Sequence, residues 1–183
     1  MPRGLKETSS PITVSFGISE SGPNTFTTER VDLQLNALDN EVFVVTGIKM
    51  DLETPDMLLG LGAGPYRIAV FGSVSKQDIS NSGARGLSNP SVMGTASIQI
   101  AGDDQVLPSG DTAFNSVVVQ ENDVDTPQAM EYLDVIATPD FFVNINGVSN
   151  VNAKSMEGKL YGYRARADAA TYAALVQSEL LSS

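Results

Sequence analysis

The chain has 183 residues, 22 acidic against 11 basic side chains, a net charge of −11, and no His, Cys or Trp. That length suits one domain with a core large enough to need neither metal nor disulfide. The missing residue types exclude disulfides, Cys/His zinc sites, a histidine base and a cysteine nucleophile, and the acidic balance argues against binding a phosphate backbone.

The opening segment, MPRGLKETSSP, lacks the apolar core of a signal peptide, and residues 1–10 read as a flexible N-terminal arm. A single domain is expected over residues 11–183. Ile12, Val14, Phe16 and Ile18 alternate with small polar residues, the period of a half-buried strand. A turn at Ser21–Asn24 leads to a strand from Phe26 to Leu35, with Val31, Leu33 and Leu35 on one face. Val42 to Leu52 reads as a long strand. Its apolar run Val42–Val45 predicts a central position covered on both sides. Gly60-Leu61-Gly62-Ala63-Gly64 has the glycines of a phosphate-cradling loop, but Pro65-Tyr66 leads into a strand where a helix would be needed.

Further strands are expected at Tyr66–Val74, Val92–Ile100, Ala113–Val119, Met130–Ala137 and Phe141–Ile145. A polar loop spans 75–90, and acidic loops span 102–112 and 121–128. Asn146-Gly147 is a two-residue hairpin signal. Ser155 to Ala165 forms the last strand, where Gly158 and Gly162 flank Leu160 and predict close approach of another backbone. The period then changes. Asp168 suits an N-cap, and Ala169, Tyr172, Ala173, Val176 and Leu180 form a stripe at helical spacing in a short helix, 168–181. The expected fold is therefore all-β: an antiparallel β-sandwich or jelly roll of about eight to nine strands with one short C-terminal helix.

Charge is unevenly placed. No Lys or Arg occurs between Gly86 and Ala153, whereas Lys154, Lys159, Arg164 and Arg166 cluster afterwards. An acidic middle facing a neighbour's basic end would drive self-association. Lys159, Tyr161, Tyr163, Arg164, Arg166, Tyr172, Val176 and Leu180 are the expected interface residues, Tyr and Arg being common at interface hot spots. Ca²⁺ is the one cofactor the acidic loops would suit, through Asp103, Asp104, Asp111, Glu121, Asp123 and Asp125, although neither loop has EF-hand spacing. No carboxylate pair stands out for glycoside hydrolysis, and without Trp there is no indole platform for a sugar. The reading is of a non-enzyme.

The order of arm, strands, long loops and terminal helix resembles the single jelly-roll proteins of virus capsids. The Ser/Thr/Asn/Ala/Val-rich, acidic texture resembles virion proteins of marine phages, most of all in the stretch Phe141 to Leu181, with FFVNING and the segment beginning KLYGYRARADAATYAALVQ. The resemblance implies a virion subunit, assembled in the host cytoplasm from copies of itself and other virion proteins. It would carry no transmembrane segment and make no direct contact with nucleic acid. A tail-tube or decoration protein, or a non-viral Ca²⁺- or glycan-binding sandwich, are the alternatives.

Overall fold

A computed structural model describes residues 4–56, 64–106, 112–121, 123–125 and 131–181. The strands are β1 (Leu5–Glu7), β2 (Ile12–Ser19), β3 (Thr27–Asp32), β4 (Glu41–Leu52), β5 (Gly64–Ser75), β6 (Val92–Val106), β7 (Thr112–Glu121), β8 (Asp123–Asp125), β9 (Asp134–Ile136), β10 (Asp140–Val148) and β11 (Ser155–Ala167), followed by helix α1 (Ala169–Leu181). They form two antiparallel sheets. In the first, β11 is flanked by β4 and by β1 and β2 in succession, while β4 takes β8 and β9 on its other side. The second runs β3-β10-β5-β6-β7.

The pairing is nested. β2 pairs with β11, β3 with β10, β4 with β8 and β9, and β5 with β6. A ribbon paired this way and rolled on itself is a jelly roll, with β7 added at one edge. Inward-facing residues of both sheets build one core around Phe43, Ile48, Met50, Phe141, Ile145, Met156 and Leu160. Phe16 meets Phe141 edge to face at 5.9 Å.

The long strand β4 changes face midway. Tyr161 pairs with Gly47 but Gly162 with Val45, so Thr46 is an extra residue and the strand is bulged there. Phe43 and Val45 before the bulge, and Ile48, Met50 and Leu52 after it, all face the core. Val42 and Val44 face the other way, into a second cluster with Val135, Ala137, Ala165 and Ala167, closed by Tyr163, Tyr172, Leu175 and Val176. That explains why Val42–Val45 is buried throughout: the second sheet covers one side and α1 the other. Gly158 and Gly162 do mark close approach. A Cβ at Gly158 would sit 2.5 Å from the Lys49 carbonyl oxygen, and one at Gly162 would strike the Val44 carbonyl oxygen and lie 2.5 Å from the Phe43 ring.

Four expectations need correction. Leu5–Glu7 is not free arm but an edge strand registered on Ala165–Ala167, because the end of β11 lies beyond the reach of β2. Asn146-Gly147 does not turn. Both residues stay in β10, opposite Phe71 and Val70, and the left-handed residue is Ser149 (φ 58°). Of the strand expected at Met130–Ala137, only Asp134–Ile136 is regular, and Met130 lies outside the described residues. Ala169 and Ala173 are exposed, and the helix instead turns Tyr172, Leu175, Val176 and Glu179 inward. The Asp168 cap is present: the Thr171 N–H donates to Asp168 Oδ1 at 2.8 Å. Among the described residues no helix is long and apolar enough to cross a membrane.

Gly162→Ala should destabilise the fold by about 1–3 kcal/mol, because backbone and a buried ring must move to admit the methyl group. Gly17→Ala, whose Cβ would lie 3.7 Å from the nearest atom, should be near neutral. Denaturant titration of the two variants checks this, and equal stabilities would refute the close-approach argument.

Candidate functional site

The densest polar constellation surrounds the connection 149–154 between β10 and β11. Lys154 is 4% exposed, and its ammonium lies 2.7 Å from Asp56 and 3.4 Å from Glu53. Burial works against this charge, but the two carboxylates outweigh it and its pKa is raised. The Ser155 hydroxyl, then Lys154, hold Glu53 below the usual carboxylate range. Hydrogen bonds from Lys154 and from the Asn152 and Val151 N–H groups lower Asp56 to about 2. The buried Glu20 carboxylate accepts from the N–H groups of Gly147 and Lys154. Asn150 exchanges two hydrogen bonds of 2.7 Å with Asn24 and donates to the Ala69 carbonyl at 2.9 Å. A Cβ at Gly147 would press on the Glu20 carboxylate at 3.0 Å and on the Asn150 amide at 2.9 Å. These groups are consumed in fixing backbone.

Glu179 does the same for the helix. It is 2% exposed, and its carboxylate accepts from the N–H groups of Ala137 at 2.8 Å and Thr138 at 3.0 Å, tying α1 to the residues after β9. Burial raises its pKa above the ordinary glutamate value. Neither Glu20 nor Glu179 was singled out from the sequence. Glu179 was readable, since it stands seven residues after Tyr172 on the inward stripe. Glu20, a lone acid before a turn, offered no such signal.

The expected interface residues divide. Tyr163, Tyr172 and Val176 are used within the chain, packed on the second cluster, and burial followed by the Glu7 charge raises the Tyr163 phenol. Arg164 donates to the Leu33 carbonyl at 3.1 Å and lies 3.8 Å from Glu41; Arg166 lies 2.8 Å from Asp39. The basic cluster is thus largely met by its own chain's acids. Lys159 and Tyr161 remain exposed, on the half of the first sheet beyond the bulge. There, with Ser15, Lys49, Asp51 and Glu157, they line an open depression of about 410 Å³. Leu180 lies in α1.

The acidic candidates are not gathered in two adjacent loops. Asp103 and Asp104 belong to β6, Glu121 ends β7, and Asp123 and Asp125 belong to β8, in the other sheet. Asp111 lies outside the described residues. In the β6–β7 register Asp103 and the partner of Glu121, Ser97, are six residues apart, about 20 Å at roughly 3.3 Å per residue. Strand pairing extends further than the period-2 pattern showed, and it separates the two groups. Among the described residues no group of three or more acids is placed to hold a metal ion. Of Gly60–Gly64 only Gly64 is described, and it opens β5. The chain matches no protein-family model and no curated sequence.

Because Asp56 titrates lower folded than unfolded, its stabilising contribution is complete above about 3.8 and is lost as pH falls through about 2. Urea melts over that range should show acid destabilisation that Asp56→Asn flattens; a parallel curve would place the acid sensitivity elsewhere. Glu179→Ala orphans two backbone donors, at roughly 1–3 kcal/mol each. It should release α1, read by hydrogen exchange at Ala137 and Thr138, and unchanged protection would rule out the clamp.

Proposed function

We propose that the protein is a structural subunit that assembles with copies of itself, in the manner of a jelly-roll capsid subunit of a virion. The edge strand β7 carries this reading. Its ten residues, TAFNSVVVQE, contain no Lys, Arg or Pro, the residues that usually blunt a sheet edge. Among the described residues β7 pairs with β6 alone. Val118 and Val119 are 61% and 48% exposed, and adjacent strand residues point to opposite faces, so β7 is open on both sides there. An edge of this kind accepts another chain by strand pairing, and repeated non-symmetric contacts close into rings or shells.

Two further features support the reading. The buried ionisable groups Glu20, Lys154 and Glu179 serve architecture, each bound to backbone or to a structural ion pair. The net charge of −11 opposes indiscriminate association and disfavours genome condensation, so a shell of this subunit would be filled after assembly.

Light scattering on the purified chain should find large, concentration-dependent assemblies. Val118→Lys should abolish them while leaving stability within about 0.5 kcal/mol of the parent, as expected for an exposed position. A parent that stays monomeric at every concentration would point to a binding module instead.

A further inference from the structure

The outer face of the second sheet holds an arginine with no carboxylate partner among the described side chains. Arg85 ends a 3-10 turn at Ser82–Arg85 and folds back over β5, its guanidinium carbon 4.1 Å from the Phe71 ring centroid. The guanidinium carbon of Arg67 lies 5.1 Å from the same centroid. The other arginines of the described residues each meet a carboxylate: Arg30 with Asp140, Arg164 with Glu41, Arg166 with Asp39. Arg85 and Arg67 meet none among the residues whose side chains are described, in a chain with twice as many acids as bases. Burial and the Arg67 charge both work against the ionised form of Arg85. An arginine cannot shed its proton in this situation, so the unfavourable field persists until an anion arrives.

The guanidinium is also held in place. One nitrogen, Nη1, donates to the Ser82 carbonyl at 2.8 Å and to Asn146 Oδ1 at 3.0 Å, Asn146 itself being 7% exposed. That leaves the remaining N–H edge for a ligand. Beside it opens a cavity of about 340 Å³, lined by Phe71, Arg85, Leu87, Thr95, Ser97 and Gln99. Leu87 is 68% exposed. The lining combines a fixed cationic fork, short polar side chains and an apolar wall.

We propose that this cavity binds an organic carboxylate, which the Arg85 fork grips through its two oxygens while the body of the acid lies against Phe71 and Leu87. A planar carboxylate matches a single fork edge. A bare phosphate would gain nothing from the apolar wall. The site does not depend on the assembly reading, because the acid can be a free small molecule or a glutamate side chain of another polypeptide.

Isothermal titration of the full chain with benzoate, an N-acetylated, amidated Ala-Glu-Ala peptide and inorganic phosphate tests this. Saturable 1:1 binding of a carboxylate is expected, weakened by added salt. Arg85→Gln should weaken it about tenfold or more, a difference of about 1.4 kcal/mol. Arg85→Lys, which keeps the charge and loses the fork, should also weaken it. Tighter binding of the peptide identifies a polypeptide source, and tighter binding of benzoate a free acid. Arg67→Gln, at an exposed position, should weaken binding severalfold without affecting the fold, and so keeps the test decisive if the Arg85 variants misfold. Phosphate binding as tight as either carboxylate overturns the assignment, as does no carboxylate binding by the parent or unchanged binding by the variants.

Discussion

The pairing of β4 with β11 is the contact on which the remaining architecture hangs. The two strands form the middle of the first sheet, and their register determines what each face of that sheet can do. The extra residue at Thr46 reverses the facing of β4 halfway along its length, while β11 alternates without interruption. Below the bulge, apolar side chains point both ways and a helix is required to cover the outer side. Above it, Lys49 and Asp51 replace Val42 and Val44 on that side, and the sheet is exposed to water. Gly158 and Gly162 permit this pairing, because any side chain at either position would collide with β4 or with a core ring.

Buried charge in this protein is architectural. Glu20, Glu179 and the Lys154–Asp56 pair each stand where backbone N–H groups would otherwise be left unmatched: in the connection 149–154, where β10 hands over to β11, and after β9. A carboxylate can accept from two donors that a neutral side chain would serve less well, which offsets part of the desolvation cost. Residues near the two ends of the chain are linked by a backbone hydrogen bond instead. The Asp168 N–H donates to the Gly4 carbonyl, so the edge strand β1 and the start of α1 hold each other at the end of β11.

The parts of the fold that depend on periodicity were legible in the sequence. Alternation located most of the strands, the change of period located α1, and the double-sided apolar run located the central strand. The paired glycines in β11 announced their close contact. What alternation cannot convey is register and reach. Asn146-Gly147 has the composition of a turn, yet seven consecutive pairs to β5 carry β10 through it. Asp103 and Asp104 look like loop acids and are carried into β6 by pairing with β5 and β7. The basic cluster was visible as a cluster, but its pairing with Asp39, Glu41, Glu53 and Asp56 joins residues 98 to 127 positions apart, which no local pattern reports. Arg85 lay in a stretch that reads as a plain polar loop. Its neighbour Phe71 belongs to a strand, and only the fold brings the two together.

The nested pairing also has a kinetic side. β11 follows both of its principal partners in chain order, β2 by more than a hundred positions. The centre of the first sheet is therefore empty until the last strand is available, and β2 and β4 must wait with their core faces uncovered. A chain dominated by such distant pairings folds slowly, and its waiting strands are exposed to wrong partners. β6 and β7, separated in the chain only by residues 107–111, are the natural first hairpin. The arrival of β11 converts an open ribbon into a closed sandwich in one step, and a polypeptide interrupted before Ser155 would present open edges on either side of the missing strand.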